Sequence, residues 1–271
     1  MLAGCLEGTG QPSFIIRERA GQDFVRKGRC KGLERTILCF GDSNTWGYVP
    51  GGCGLRYPRN VRWPGRLAEL LGSEYHVIEE GLNGRTIVWD DMIRGYCSGL
   101  SYITPCLQSH KPIDLVIVML GSNDTKDQFS VDAYSIARSM TRLMDAIQFS
   151  RSGRPDGEAG ASDAADSAAV KRPGASDGTP RPKILLIAPP PLRREILEGD
   201  LGMIWEMSAA SVHKSEQLAS FYEQIARDYS AYFLDAGKVC SPSLTDCLHL
   251  PPEGHIALAE AVCSKIQEIF K

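Results

Sequence analysis

The chain has no C-x-x-C pair, no apolar run longer than Leu115–Leu120, and no surplus of positive charge. A membrane-spanning helix needs about 20 apolar residues, so no span is expected. The formal net charge is -3, and no basic stretch carries interleaved aromatics, which argues against non-specific nucleic-acid binding. The first 31 residues contain Glu7 and no continuous apolar core, so they do not read as a signal peptide. The cysteines number nine, an odd count: Cys5, Cys30, Cys39, Cys53, Cys97, Cys106, Cys240, Cys247 and Cys263. Cys39 and Cys263 fall in apolar patterns, where Cys packs as a small hydrophobe. Mostly free thiols in a reducing compartment are expected, and with them a cytoplasmic location.

What the chain does have is an ordinary globular composition, 43% hydrophobic and 23% charged over 271 residues, enough for one full α/β core. Five short apolar runs punctuate it: Thr36–Phe40, His76–Glu79, Leu115–Leu120, Lys183–Ala188 and Tyr232–Asp235. Leu-Val-Ile-Val-Met-Leu and Ile-Leu-Leu-Ile-Ala are continuous rather than alternating, the mark of strands covered on both faces in a parallel sheet. Helical spacing of apolar residues predicts helices over Val61–Leu71, Val131–Phe149, Ala209–Tyr229 and Glu253–Phe270. Strands alternating with helices predict a three-layer α/β/α sandwich around a five-stranded parallel sheet. Residues 1–32 read as a polar, poorly ordered extension and 33–271 as a single domain. Within it Ser150–Pro182, rich in Gly, Ala, Ser, Asp and Pro, reads as a disordered insertion.

The chemistry concentrates at strand ends. Thr36–Phe40 runs into Gly41-Asp42-Ser43, which puts a hydroxyl where open α/β sheets hold ligands. A Ser hydroxyl needs a base, usually His, itself oriented by a carboxylate, and Asp246-Cys247-Leu248-His249 offers both. A tetrahedral intermediate also needs donors for its oxyanion. Gly84, after the second run, can present a backbone N–H, and Asn123, after the third, a side-chain amide; with the Ser43 N–H they make three candidate donors. The nucleophile elbow Gly-x-Ser-x-Gly is absent, which argues against a standard α/β-hydrolase.

Gly41-Asp42-Ser43, Gly84, Gly121-x-Asn123-Asp124 and Asp246-x-x-His249 stand in the order of the four blocks of the SGNH (GDSL-type) hydrolase family, and the chain resembles that family from about Leu33 to Lys271. The flanks Thr45-Trp46-Gly47-Tyr48-Val49-Pro50 and Val61-Arg62-Trp63-Pro64-Gly65 are similar to the bacterial arylesterase/acyltransferase branch. The resemblance implies a flavodoxin-like fold, no cofactor, no metal, and hydrolysis of short-chain esters through Ser43, with His249 as base and Asp246 as its orienter. Some relatives pass the acyl group to alcohols instead of water, and some assemble as homo-oligomers. The alternatives are a carbohydrate (acetylxylan-type) deacetylase and, in another class, a non-catalytic binding module on the same fold, which would need a broken triad. A nucleotide-binding flavodoxin-like protein is disfavoured because Asp42 would repel a phosphate.

Asn44 stands where the family has the Leu of GDSL, and is expected to point away from the acyl chemistry. Trp46, Tyr48 and Trp205 are candidates to line the substrate pocket. Asp42 is expected to hold its own turn, Asp124 to make an Asx turn or helix cap, and His255 to pack at a helix start. His76, His110 and His213 lie outside the blocks and are expected to be structural. The apolar stretch Leu192–Met207 is a candidate interface between copies.

Overall fold

The computed structural model describes residues 34–154 and 180–271. The expected extension, 1–32, and residues 155–179 of the expected insertion lie outside the described residues.

Five strands form one parallel sheet: β1 (Arg35–Gly41), β2 (Tyr75–Gly81), β3 (Leu115–Met119), β4 (Lys183–Ala188) and β5 (Tyr232–Asp235). Their order is β2-β1-β3-β4-β5, the flavodoxin-like doubly wound order, so the chain reverses direction of winding between β1 and β3. Side chains alternate through the sheet as the strand period requires. Leu38, Phe40, Val116, Val118 and Leu186 face α3 (Gly99–His110), α4 (Ala133–Gln148) and α6 (Ala209–Asp228). Ile37, Cys39, Leu115, Ile117 and Leu185 face α2 (Trp63–Leu71) and α7 (Pro252–Ile269). Three layers follow because both sheet faces are apolar and each must be covered.

The register brings the business end of the sheet level: Gly41 of β1 sits opposite both Gly81 of β2 and Met119 of β3. The loops leaving these three strands therefore start side by side. One-turn helices α1 (Ser43–Trp46) and α5 (Leu201–Trp205) lie in the connections after β1 and β4.

Two features go beyond what the sequence pattern predicts. First, α3 lies where no helix is expected, because Pro105 stands inside it and only Ile103, Cys106 and Leu107 are buried in its body; Ser98 caps it by accepting from the Ser101 N–H at 3.3 Å. Second, the ends of Ser150–Pro182 are ordered. Ser152 is buried and its carbonyl accepts from the Ile113 N–H at 2.8 Å, and Arg154 forks onto the Asp114 carboxylate at 2.8 Å. The Gly153 N–H reaches the Pro180 carbonyl at 3.3 Å, so the chain leaves and re-enters the described fold at one point. Composition hides this, because short polar residues there are anchored by partners elsewhere in the chain.

Candidate active site

The turn after β1 sets the hydroxyl. Asp42 caps α1: its Oδ1 accepts from the Asn44 N–H at 2.9 Å, which leaves the Ser43 side chain free of any capping bond. Gly81 makes the turn fit, because a Cβ there would collide with the Trp46 backbone. Ser43 Oγ lies 2.9 Å from His249 Nε2.

The late loop sets the imidazole that meets this hydroxyl. Asp246 Oδ1 accepts from the backbone N–H groups of Leu248 (3.2 Å) and His249 (2.9 Å), folding Asp246–His249 into a tight turn. Cys247 takes a left-handed φ of 60° within it, and its own N–H is tied to the Ser243 carbonyl at 2.8 Å. Asp246 Oδ2 then meets His249 Nδ1 at 2.7 Å. A carboxylate can only accept there, so Nδ1 carries the proton and Nε2 is left as acceptor for the Ser43 hydroxyl. Burial works to raise the Asp246 pKa, but the hydrogen bond and charge of His249 and the two N–H groups outweigh it and hold the carboxyl below its usual range.

Asn44 joins the two loops. Its Nδ2 donates to the Leu248 carbonyl (3.3 Å) and its Oδ1 accepts from the Leu250 N–H (2.8 Å), so one amide grips the backbone on both sides of His249. Its amide is spent on the loop that carries His249, a task that reading the residue as a neutral departure from Leu misses.

The three candidate oxyanion donors sit on the three level loops. Neither the Ser43 nor the Gly84 N–H makes a hydrogen bond among the described residues. Gly84 holds a φ of 80°, open to Gly and strained for other residues. Asn123 Nδ2 spends one hydrogen on the Arg85 carbonyl at 3.1 Å, fixing the amide and leaving the second hydrogen unspent. Arg85 binds the loops from behind: Nη1 donates to the Gly41 carbonyl at 2.9 Å and also to that of Glu80, and the guanidinium lies over the Phe40 ring.

Aromatic rings enclose His249. Tyr48 stacks on His249 at 4.3 Å and Trp205 meets it edge-on at 5.0 Å. The Trp46 ring centre lies 6.4 Å from that of Tyr48, and the Arg56 guanidinium lies over the Trp46 ring at 5.0 Å. Trp205 is fixed through its neighbour Glu206, whose side chain pairs with the buried Lys126 at 2.7 Å and whose carbonyl accepts from the Asp127 N–H. Leu192, Ile196 and Met207, expected as an interface, instead pack with Val212, Cys247 and Leu248 beneath the base loop; Met203 and Ile204 of the same stretch remain exposed.

Three buried groups support the site without joining the Asp246–His249–Ser43 line. Burial pushes Asp42 up to about 6, partly offset by the Asn44 N–H and the charges of His249 and Arg85. Burial pushes Asp124 up to about 7; it makes neither an Asx turn nor a cap, but accepts from the Ile87 N–H of the preceding loop at 2.8 Å. Burial, with the charges of His249 and Arg62, lowers His255 to about 3, and this neutral ring accepts the Trp63 N–H at the start of α2. His76 and His213 are exposed on the surface, and His110 pairs with Glu80.

With the geometry established, the relatives can be compared. A search of curated proteins finds no match. Est24, a carbohydrate acetylesterase from Sinorhizobium meliloti, is 35% identical, covers 87% of this chain and 99% of its own, and superposes with a TM-score of 0.73. The native aryl esterase of M. smegmatis is 34% identical over 86% of this chain and 99% of its own, with a TM-score of 0.71. A second carbohydrate acetylesterase family member from Sinorhizobium meliloti is 31% identical over 86% and 98%, with a TM-score of 0.70. A family model also matches residues 39–257, and the chain belongs to the GDSL-like lipase/acylhydrolase family.

Proposed function

We propose that the protein hydrolyses short-chain carboxylic esters through an acyl-enzyme on Ser43. The observation that carries this is the unbroken line from Asp246 Oδ2 to His249 Nδ1 (2.7 Å) and from His249 Nε2 to Ser43 Oγ (2.9 Å). Ser43 Oγ attacks the ester carbonyl carbon as its proton passes to Nε2. Asp246 holds the tautomer and stabilises the imidazolium. The carbonyl oxygen becomes an oxyanion received by the Ser43 and Gly84 N–H groups and the spare hydrogen of Asn123. The C–O bond to the alcohol breaks, and His249 returns the proton to that alcohol. Water then repeats the sequence, the acid leaves, and Ser43 regains its proton. An alcohol in place of water gives a new ester, and the rings of Tyr48 and Trp205 are the surfaces that would hold it beside His249.

A second reading is sugar-ester deacetylation, which the likeness to two carbohydrate acetylesterases favours. Turnover of p-nitrophenyl acetate by wild type and Ser43→Ala, with and without added alcohol, tests the first; kcat/KM on acetylated xylo-oligosaccharides against aryl acetates separates the two. The variant should lose at least about 10⁴-fold in kcat; retained turnover would contradict the assignment. A complete triad also speaks against a non-catalytic binding module.

The proposal takes 33–271 as one catalytic domain and places it in the cytoplasm. No described helix is long and apolar enough to cross a membrane, and the seven described cysteines all carry free thiols, which supports a reducing compartment. Assembly into a homo-oligomer belongs to the same proposal, supported by the exposed apolar Met92, Ile93, Met203 and Ile204; light scattering at working concentration reads it directly.

A further inference from the structure

A second group of ligand-type side chains meets where α3 covers the edge strand β2. Cys106 and His110 stand four residues apart on α3, so both point to the same side of the helix. Glu80, near the end of β2, reaches them: its Oε1 lies 3.0 Å from His110 Nε2. One carboxylate oxygen, the Cys106 sulfur and one imidazole nitrogen all lie within 4.8 Å of one another. Cys106 is buried, the Glu80 side chain is 19% exposed and that of His110 33%, so the cluster has a closed floor and one side open to water. No residue of the Asp246–His249–Ser43 line belongs to it.

Imidazole, thiolate and carboxylate are the donor types of zinc, at about 2.0–2.3 Å from the metal. Tetrahedral ligands at those lengths stand about 3.3–3.8 Å apart, so spacings of up to 4.8 Å have at most about 1.5 Å to close on binding. The open side leaves the fourth position to water. Charge is compatible as well. Burial and the Glu80 charge push the Cys106 thiol up to about 12, so the cation has to displace that proton. Once it has, the carboxylate and thiolate together outweigh the nearby Arg85 guanidinium, which is itself committed to the Gly41 and Glu80 carbonyls.

We propose that Glu80, Cys106 and His110 form a site for one zinc-like divalent cation, which clamps α3 to the outer strand of the sheet. On binding, the Cys106 thiol gives its proton to solvent and ligates as thiolate, while neutral His110 and the Glu80 carboxylate donate lone pairs. Nothing is oxidised or reduced. The clamp lies outside the proposed catalytic centre but on the strand that leads to Gly84, so its first consequence is stability of that edge.

The test uses the full chain, reduced and stripped with a chelator, titrated with Co²⁺ as a spectroscopic stand-in and then with Zn²⁺. The expected result is one equivalent of Co²⁺ with a sulfur-to-metal charge-transfer band, displaced by Zn²⁺, and a rise in Tm with Zn²⁺. Cys106→Ser should abolish the band. His110→Ala, at a partly exposed position and with folding checked by circular dichroism, should weaken binding by at least about 10–100-fold, the loss that even an outer-shell partner costs. No charge-transfer band in the wild type, or a band unchanged in both variants, would overturn the proposal.

Discussion

The Asn44 amide bonds to neither reacting group of the proposed triad, yet it ties together the two loops that carry them. Its amide pairs with the Leu248 carbonyl and the Leu250 N–H, and His249 lies between. Asn44→Leu restores the residue of the GDSL name but strands two buried backbone groups, each worth about 1–3 kcal/mol when unpaired. A misplaced His is felt in the chemical step, where about 1 Å costs up to 10²-fold. The expected outcome is a kcat lower by about tenfold or more with KM nearly unchanged, together with a lower urea midpoint. A stability loss with kcat intact would show that Asn44 only holds the fold. Asp124 carries a different prediction, one of sign. Its folded pKa of about 7 lies above the ordinary carboxylate value of about 3.9, so the folded state binds a proton more tightly than the unfolded chain. Its stabilising contribution is therefore full below about pH 4 and is lost as pH rises through about 7. Asp124→Asn keeps the acceptor for the Ile87 N–H and removes the buried charge. Relative to wild type it should gain stability at pH 8 and little at pH 4.5, read as urea midpoints at the two pH values; an equal difference at both would contradict the burial argument.

Level strand ends explain why the proposed site forms here. Gly41, Gly81 and Met119 share a register, so the loops carrying Ser43, Gly84 and Asn123 leave the sheet together. The continuous apolar strands β3 and β4 are legible in the sequence because two covered faces demand them. Helix α3 is not, because Pro105 and three buried side chains give it too weak a period, and its place is settled by packing against α4 and the sheet. The ordered ends of the polar stretch are hidden for a related reason: the Arg154–Asp114 fork and the Ser152–Ile113 bond join residues about 40 positions apart. Because Gly153 and Pro180 are hydrogen-bonded, residues 155–179 can be replaced by a two-residue turn without moving either neighbour. The shortened protein should keep its Tm within a few degrees and its ester turnover within about twofold, since closing a shorter loop costs little. A large loss of turnover with the fold intact would instead assign those residues a part in the reaction.

The likeness to solved esterases extends over nearly all of the described chain, and the order of four short blocks already pointed to that family. Those blocks are legible because ester chemistry demands particular residue types at strand ends. The supports are not: Asn44, Arg85 and Lys126 act through partners that only the folded chain brings near, 204 residues away for Asn44 and 80 for Lys126. The same holds for Glu80, which the fold brings to the Cys106–His110 pair from 30 positions away. Two apolar layers hold the sheet rigid, and the catalytic proposal rests on loops projecting from one end of it. The measurement that tests that proposal most directly is mass spectrometry of the protein after reaction with a fluorophosphonate. We expect a single phosphonyl adduct on the peptide bearing Ser43, formed in step with the loss of ester turnover. An adduct elsewhere, or full loss of turnover with Ser43 unmodified, would contradict it.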